Sequence, residues 1–99
     1  MATITIMRDE TRIGKIRLAP GAMFIGRGVD NDVKIDDTTI STHHAKIVTY
    51  FKATYIEDLD STNGTYINGK RVQKHTLHPG DIVQVGKHRL MVEPEESRA

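Results

Sequence analysis

The sequence predicts an all-β fold built from short strands, and three features of the chain lead to this prediction. Short segments of alternating apolar and polar residues recur about every ten residues. Turn-forming residues such as glycine, proline, asparagine and aspartate separate these segments. No stretch longer than one turn has the periodicity of an amphipathic helix. This combination is typical of a β-sandwich or a β-barrel.

Each expected strand is an alternating or apolar run that ends at a turn. Ile4 and Ile6 alternate with polar residues, so they share one face of the first strand. The polar reversal at 8–11 returns the chain into a second strand, which Ala19-Pro20-Gly21 ends. His78-Pro79-Gly80-Asp81 turns the chain into the last pair of strands. The expected strands are 3–7, 12–18, 23–26, 33–35, 44–50, 54–58, 82–85 and 88–92, with minor strands at Ile67, Val72 and Leu77.

The length of the chain and its last residues indicate one domain followed by a tail. A chain of 99 residues suits one domain and leaves no room for a second core. Residues 93–99 are polar and are interrupted by Pro94, so we expect a tail or the start of a linker there. The expected domain therefore covers residues 1–92.

The composition argues against several functional classes. The formal net charge is +1 with neutral histidines, which is too small for a nucleic-acid-binding or membrane-binding surface. The absence of cysteine excludes a disulfide framework and a thiolate metal site. No apolar run is long enough to span a bilayer, and no basic segment followed by a hydrophobic stretch indicates a signal peptide. We therefore expect a cytoplasmic location, with no membrane and no nucleic acid as partner.

Two Asn-Gly dipeptides lie close together between residues 58 and 71. Such dipeptides supply the positive φ angles that tight turns need. Asn68-Gly69 separates two short strand-like segments and is interpreted as an ordinary hairpin turn. Asn63-Gly64 follows Ser61 and Thr62, so several hydrogen-bonding side chains are crowded onto one loop. These additional hydroxyl groups indicate a site for a polar ligand.

Two further motifs make that indication specific. Gly26-Arg27 places an arginine at the end of an expected strand, and Ser41-x-x-His44 precedes another strand. Together with Asn63-Gly64, in this order, they resemble the forkhead-associated (FHA) domain, a phosphothreonine-reading module, over nearly the whole chain. The resemblance implies a β-sandwich of two mainly antiparallel sheets with about 11 short strands. It also implies that the binding loops are clustered at one end of the sandwich.

The resemblance implies phosphate contacts at four positions. Arg27 is the expected cation, because a planar guanidinium suits a pair of phosphate oxygens better than an ammonium group does. Ser41 is expected to contact the phosphate directly, and Thr62 keeps a hydroxyl at the family's position before the asparagine. Thr42 stands where the family often has arginine or asparagine, so this departure makes it a weaker candidate for the same contact.

The remaining site positions have other expected roles. By resemblance, Asn63 binds the main chain of the ligand, since a carboxamide offers both a donor and an acceptor. Gly26, His44 and Gly64 are expected to support the site structurally, with His44 bracing two loops from beneath. Thr39 lies where family members often read the third residue after the phosphothreonine. Because threonine cannot pair with a carboxylate as arginine would, we predict no strong acidic preference from Thr39.

No combination of residues indicates an active site. Asp36-Asp37 has no matching general acid, so we expect no enzyme, no catalytic residue and no cofactor. The five histidines show no recognised metal-ligand spacing, and we expect no metal site. A phosphate-independent protein-interaction domain on the same fold is the alternative. A small nucleic-acid binder is a less favoured alternative.

The expected partner is a protein or peptide that contains phosphothreonine, or another segment of the same polypeptide. The resemblance implies a Ser/Thr protein kinase upstream and a role in kinase-dependent signalling. Four basic residues outside the motifs either form a diffuse basic rim or are ordinary solvated charges, and we favour the second interpretation. These residues are Lys34, Lys70, Arg71 and Lys87.

Overall fold

The structure is a computed structural model, and it describes residues 3–94. Within this range the chain forms 11 strands and no helix, so the predicted all-β class and strand number are confirmed. Glu93 belongs to the last strand, one residue beyond the expected domain end. Residues 95–99 of the expected tail lie outside the described residues.

Most strands lie within two residues of their expected bounds. They are β1 (Thr3–Arg8), β2 (Thr11–Arg17), β3 (Gly21–Gly26), β4 (Val33–Lys34), β5 (Ala45–Tyr50), β6 (Ala53–Asp58), β7 (Thr65–Ile67), β8 (Lys70–Val72), β9 (Lys74–Thr76), β10 (Ile82–Val85) and β11 (His88–Glu93). Leu18 and Leu77, which the sequence places in strands, lie one residue beyond β2 and β9. Both side chains are buried all the same, because the chain still runs along the core there.

The strand β9 carries no alternation that the sequence could reveal. All three of its residues are exposed, so no buried face marks it as a strand. It forms because Tyr55, Ile56 and Glu57 of β6 pair with it in antiparallel register. A partner distant in sequence therefore creates this strand at the edge of its sheet.

The strands form two sheets, as the resemblance implies. One sheet has six strands in the order β2-β1-β11-β10-β7-β8, and the other has five in the order β4-β3-β5-β6-β9. The pairs are antiparallel, apart from the parallel pair of β3 and β4. Three of the nine strand pairs, β1 with β11, β7 with β10 and β6 with β9, are separated along the chain by strands of the other sheet, which is typical of a sandwich.

The core lies between the inner faces of the two sheets. Ile4 and Ile6, predicted to share a face, pair with Val92 and Leu90 and are buried with them. From the five-stranded sheet come side chains such as Ile47 and Ile56. The other buried apolar residues are Leu18, Ile25, Val33, Ile35, Ile40, Ala45, Ile67, Leu77, Val83 and Val85. Burial of this apolar surface holds the two sheets together.

The strand register gathers three loops at one end of the sandwich. Ile25 pairs with Ala45, and Ala45 pairs with Asp58, so the end of β3, the start of β5 and the end of β6 lie side by side. The loops that leave these strand ends span residues 27–32, 35–44 and 59–64. We refer to them by these ranges, and to this end of the molecule as the loop end. The predicted clustering of the motif-bearing loops at one end is confirmed.

Candidate functional site

Backbone hydrogen bonds hold the three loops against one another. The N–H groups of Arg27 and Gly28 donate to the carbonyl oxygens of Ser41 and Thr42 at 3.0 and 3.1 Å. The N–H of Leu59 donates to the carbonyl of His44 at 2.9 Å, which attaches the 59–64 loop to the 35–44 loop. The loops therefore form one connected surface.

Gly26 and Gly28 make the close approach of the first two loops possible. A Cβ atom at Gly26 would lie 2.1 Å from the carbonyl oxygen of Thr42, a distance that no real contact allows. A Cβ atom at Gly28 would lie 2.8 Å from the methyl carbon of Thr42. The Asn31 amide also donates to the Thr42 carbonyl, at 2.7 Å. Glycine before Arg27 is thus required by packing of the backbone, not by a positive φ angle.

Arg27 is exposed and is oriented by one hydrogen bond. Its Nε–H group donates to the Ile40 carbonyl at 3.1 Å, which holds the guanidinium beside the 35–44 loop. Among residues 3–94, no carboxylate forms an ion pair with Arg27, and its two terminal nitrogens make no hydrogen bond. The guanidinium therefore keeps its paired donors available for an external ligand.

Ser41 joins the second and third loops. Its Oγ atom accepts a hydrogen bond from the Thr62 N–H at 3.0 Å, and its own N–H donates to the Nδ1 atom of His44 at 3.1 Å. Because the hydroxyl accepts from the backbone, its own hydrogen is free to donate to another acceptor. The side chain is only partly buried, so that acceptor could be an external one.

His44 lies fully buried beneath the loops. Since Nδ1 accepts from the Ser41 N–H, the proton lies on Nε2, which donates to the Gly64 carbonyl at 2.9 Å. The neutral imidazole with this tautomer satisfies one group in each of two loops. A second proton on the ring would place two donors face to face at Ser41, so the loop contact depends on the neutral form.

Thr62 and Asn63 are exposed at the tip of the 59–64 loop. The Asn63 amide Nδ2 donates to the Thr39 carbonyl at 2.9 Å, and the side chain thereby bridges to the 35–44 loop. The hydroxyl of Thr39 donates to Asp37 at 2.6 Å. The Thr39 side chain therefore faces its own loop, while the carboxamide oxygen of Asn63 makes no hydrogen bond among the described residues.

Thr42, the weaker candidate, lies beside Arg27 and Gly28. Its carbonyl oxygen accepts from both the Gly28 N–H and the Asn31 amide, so its backbone position is well determined. Its side chain is exposed, and the methyl group packs over Gly28. The structure thus brings Thr42 together with Arg27, Ser41, Thr62 and Asn63 on one rim.

Asp58 is a supporting residue to which the sequence analysis assigns no role in the site. It is buried and accepts hydrogen bonds from the Ser61 N–H, the Ser61 hydroxyl and the Thr65 hydroxyl at 3.1, 2.5 and 2.8 Å. Burial by itself would raise the pKa of Asp58, but the hydrogen bonds from Ser61 and Thr65 outweigh burial and lower the pKa. The Asp-x-x-Ser spacing at 58–61 is the local signal of such a turn.

Ser61 extends that support to the site. Its hydroxyl donates to Asp58 and accepts the Gly64 N–H at 3.0 Å. Gly64 therefore has its N–H bonded to Ser61 and its carbonyl bonded to His44. Both polar groups of Gly64 are satisfied from within the protein, and the loop tip keeps one shape.

Asp37 is a second buried carboxylate with no signal in the sequence for its role. It accepts from the N–H and hydroxyl of Thr39, from the N–H of Lys87 at 3.0 Å, and from Nδ1 of His88 at 3.0 Å. Burial would raise the pKa of Asp37, but the hydrogen bonds from Thr39, Lys87 and His88 lower it far below its usual range. This carboxylate links the 35–44 loop to the turn between β10 and β11.

Arg71, interpreted from the sequence as an ordinary solvated charge, lies against the 59–64 loop. A Cβ atom at Gly64 would lie 2.7 Å from the Arg71 Nε atom, so the guanidinium stem packs directly on Gly64. Arg71 and Asp60 line the same surface depression beside this loop. The cation is therefore next to the candidate site, although it lies seven positions after Gly64 in the sequence.

The rim of the loop end offers the Arg27 guanidinium and several hydroxyl and amide groups. Within residues 3–94 no group of three or more His, Asp or Glu side chains is arranged to hold a metal ion. The same range contains no helix that could cross a bilayer. Such a donor-rich rim on a β-sandwich suits a ligand that is rich in hydrogen-bond acceptors.

Comparison with known proteins identifies the family. The family model described as the FHA domain matches residues 23–86. The ABC transporter ATP-binding/permease protein Rv1747 of Mycobacterium tuberculosis is 44% identical over 84 residues, which cover 83% of this chain and 10% of that protein. The glycogen accumulation regulator GarA of Mycolicibacterium smegmatis is 41% identical over 90 residues, which cover 91% of this chain and 57% of GarA.

A solved structure agrees with these sequence matches. It comes from a structural and functional analysis of phosphothreonine-dependent FHA domain interactions and superimposes with a TM-score of 0.86 at 30% identity. The alignment covers 96% of this chain and 99% of that chain. The chain belongs to the FHA domain family. It spans only part of the two curated relatives, namely 10% of Rv1747 and 57% of GarA.

Proposed function

We propose that this domain binds protein segments that contain phosphothreonine and thereby acts in Ser/Thr-kinase-dependent signalling. The observation that carries the proposal is the exposed Arg27 guanidinium, which is oriented by Ile40 and has no carboxylate partner among residues 3–94. Ser41 and Thr62 lie on the two neighbouring loops, joined by their mutual hydrogen bond. In this proposal the Arg27 guanidinium and the Ser41 and Thr62 hydroxyl groups bind one phosphate.

The chemistry of a phosphate group suits these groups. A phosphothreonine carries about −1.5 to −2 charges at neutral pH and has three strong acceptor oxygens. The guanidinium of Arg27 offers paired donors in a plane, and the Ser41 and Thr62 hydroxyls offer single donors. Because internal hydrogen bonds already order the three loops, little loop entropy is lost on binding. Thr42 is the fourth proposed contact, from the edge of the same rim.

Asn63 is the proposed contact to the peptide main chain. Its carboxamide oxygen accepts a peptide N–H, and its Nδ2 group exchanges the Thr39 carbonyl for a peptide carbonyl or is shared between them. Gly26, His44 and Gly64 act indirectly in this proposal, since each shapes a loop that carries a contact. Thr39 remains the proposed specificity position, acting through its backbone and methyl group because its hydroxyl is bonded to Asp37.

The proposed partner is a cytoplasmic protein phosphorylated on threonine by a Ser/Thr kinase, or a phosphorylated segment of the same polypeptide. Binding, not catalysis, is the proposed activity, since the rim pairs no nucleophile with a base. The similarity to a domain studied for phosphothreonine-dependent interactions, at 30% identity over nearly the whole chain, supports the ligand class.

Titration of the domain with matched peptides tests this function. Threonine, phosphothreonine and phosphoserine versions of one degenerate peptide pool are compared by calorimetry and by backbone amide shifts. The phosphothreonine pool should bind with a Kd of roughly micromolar order. Arg27→Ala should weaken binding about a hundredfold, because two charge-assisted hydrogen bonds are lost. Arg17→Ala, an exposed arginine far from the loops, is the matched control and should bind as the unmodified domain does.

Two results would contradict the proposal. Equal binding of the unphosphorylated pool would indicate a phosphate-independent interaction domain. Shifts that leave Arg27, Ser41 and Thr62 unaffected would indicate that the ligand binds elsewhere on the sandwich.

A further inference from the structure

A row of side chains crosses the whole six-stranded sheet on its outer face. The strand registers place the members opposite one another in turn, with Arg71 against Tyr66, Tyr66 against Gln84, Gln84 against Arg89, Arg89 against Met7, and Met7 against Arg12. We call these six residues the arginine row. It contains three arginines and no acidic residue.

The alternation of burial shows that the row faces outward. Gln84 is exposed between the buried Val83 and Val85, and Arg89 is exposed between the buried His88 and Leu90. Arg12 and Arg71 are exposed, while Tyr66 and Met7 are half-buried. The row is therefore a surface stripe that alternates cations with polar and apolar groups.

The arginines of the row have no carboxylate partner in the described part of the chain. Arg12, Arg71 and Arg89 form no ion pair within residues 3–94. Arg89 donates to the backbone carbonyl of Asp9, which fixes its guanidinium without neutralising its charge. Asp9 and Glu10 border the row at the turn between β1 and β2, and Asp60 borders it beside Arg71. The three arginines thus form no direct ion pair in the described part of the chain, although these carboxylates lie at the borders of the row.

One end of the row adjoins the proposed phosphothreonine site. The Arg71 side chain packs on Gly64, directly after the proposed peptide contact Asn63. A peptide that leaves the site over the 59–64 loop would therefore meet Arg71 first. Adjacent strands lie about 4.8 Å apart, so the six positions span about 24 Å. An extended peptide of about seven residues covers that distance.

We propose that the arginine row extends the phosphothreonine site and binds an acidic segment that flanks the phosphothreonine in the same partner. The proposal rests on the proposed function, since the phosphothreonine positions the segment. Carboxylates of the flank pair with Arg71, Arg89 and Arg12, and apolar side chains contact Met7 and Tyr66. Charge complementarity and continuity with the phosphothreonine site identify the occupant as an acidic peptide.

Other anionic occupants fit the row less well. A nucleic acid would draw on aromatic side chains for stacking, and Tyr66 is the one aromatic residue in the row. The row also lies flat across a sheet and carries no protruding apolar tip that would enter a bilayer. The acidic flank of a phosphorylated protein therefore suits its charge, its length and its position.

Four peptides test the proposal by fluorescence anisotropy. Three carry the same phosphothreonine core, with a neutral flank, an acidic run before the phosphothreonine, or an acidic run after it. The fourth is the unphosphorylated form of the tighter acidic peptide. One of the two acidic phosphopeptides, and only one, should bind about fivefold more tightly than the neutral peptide at low salt, as expected for two or three exposed ion pairs.

Substitutions at the two ends of the row test whether the gain in affinity for the acidic phosphopeptide comes from the arginines of the row. Arg71→Gln and Arg12→Gln should each reduce the gain, and the double variant should abolish it while the neutral phosphopeptide keeps its affinity within about twofold. Arg12 lies on β2, four strands across the sheet from β7, so its effect separates the row from any disturbance of Gly64. Lys70→Gln removes the same charge from the same strand but lies outside the row, and it should keep the full gain.

The possible outcomes distinguish failure of the arginine-row proposal from failure of the proposed phosphothreonine binding. An equal gain for both acidic phosphopeptides would indicate diffuse attraction and would overturn the proposal, as would no gain or a gain that survives in the double variant. Binding of the unphosphorylated acidic peptide as tight as that of its phosphorylated form would show an independent surface and would also overturn it. If none of the three phosphopeptides binds the unmodified domain, the proposed function itself fails, and the extension fails with it.

Discussion

The chain contains two Asn-Gly turns only five residues apart, and they serve different purposes. At Asn68-Gly69 both residues have positive φ angles, 50° and 88°, and close the hairpin between β7 and β8. A Cβ atom at Gly69 would meet nothing within 4 Å. At Asn63-Gly64 only the glycine has a positive φ angle, 90°, and it is enclosed by Ser61, His44 and Arg71.

The difference shows that the same Asn-Gly sequence can close a hairpin in one place and join two loops in another. Asn68 uses its side chain to bond the neighbouring Asp81 and the Ile82 N–H, which fastens the hairpin to the next strand. Asn63 extends from an exposed loop tip to the carbonyl of Thr39 in another loop. The first turn therefore fastens a hairpin to the next strand, whereas the second joins two of the loops that carry the proposed binding site.

Each turn has an aspartate beneath it, and removing the two should have unequal effects. Asp58→Ala leaves Ser61 and Thr65 without the acceptor of three buried hydrogen bonds, and the free energy of unfolding should fall by about 3 kcal/mol. Asp81→Ala removes solvent-exposed hydrogen bonds from the Asn68 amide and the His78 N–H. This substitution should lower the free energy of unfolding by about 1 kcal/mol.

Urea unfolding measures both values under the same conditions. Asp58→Asn serves as a milder second variant, since it keeps the volume and one acceptor. A larger loss for Asp81→Ala than for Asp58→Ala would show that the hairpin turn, not the site loop, depends more on its aspartate.

Replacing the two asparagines should separate affinity from stability. Asn63→Ala should weaken phosphothreonine-peptide binding about tenfold, since a main-chain contact is lost, with a change in unfolding free energy below about 0.5 kcal/mol. Asn68→Ala should lower the unfolding free energy by about 1–2 kcal/mol, because alanine tolerates φ of 50° poorly and two hydrogen bonds disappear. Calorimetric titration measures the peptide affinity of both variants, and thermal unfolding measures their stability. Loss of affinity in Asn68→Ala would contradict the prediction.

The acid dependence of stability should come mainly from the loop end. Asp37 and Asp58 have pKa values below those of the unfolded chain, so each adds stability that is fully present above about pH 4. That stability is lost progressively as the pH falls from about 4 towards the lowered pKa values. Denaturation curves recorded from pH 6 to pH 2.5 should show this loss of stability. In Asp37→Asn, the free energy of unfolding should depend less steeply on pH. An unchanged profile in Asp37→Asn would contradict the assignment to this carboxylate.

Much of the site could be predicted from the sequence because its motifs are local. Gly26-Arg27, Ser41-x-x-His44 and Asn63-Gly64 are short runs whose order is visible without a fold, and the structure brings all three to one end. The support beneath them could not be predicted in the same way. Asp37 and His88 are 51 residues apart, and no local pattern pairs them.

By itself the sequence determined the all-β class, most of the strands and the residues of the three loops. Alternation and turn chemistry depend on neighbouring residues, so they are legible before folding. Only the tertiary structure decided the edge strand β9, the place of Arg71 beside Gly64 and the alignment of the arginine row. These features depend on the register between strands distant in sequence, and register is set when the two sheets bury their common core.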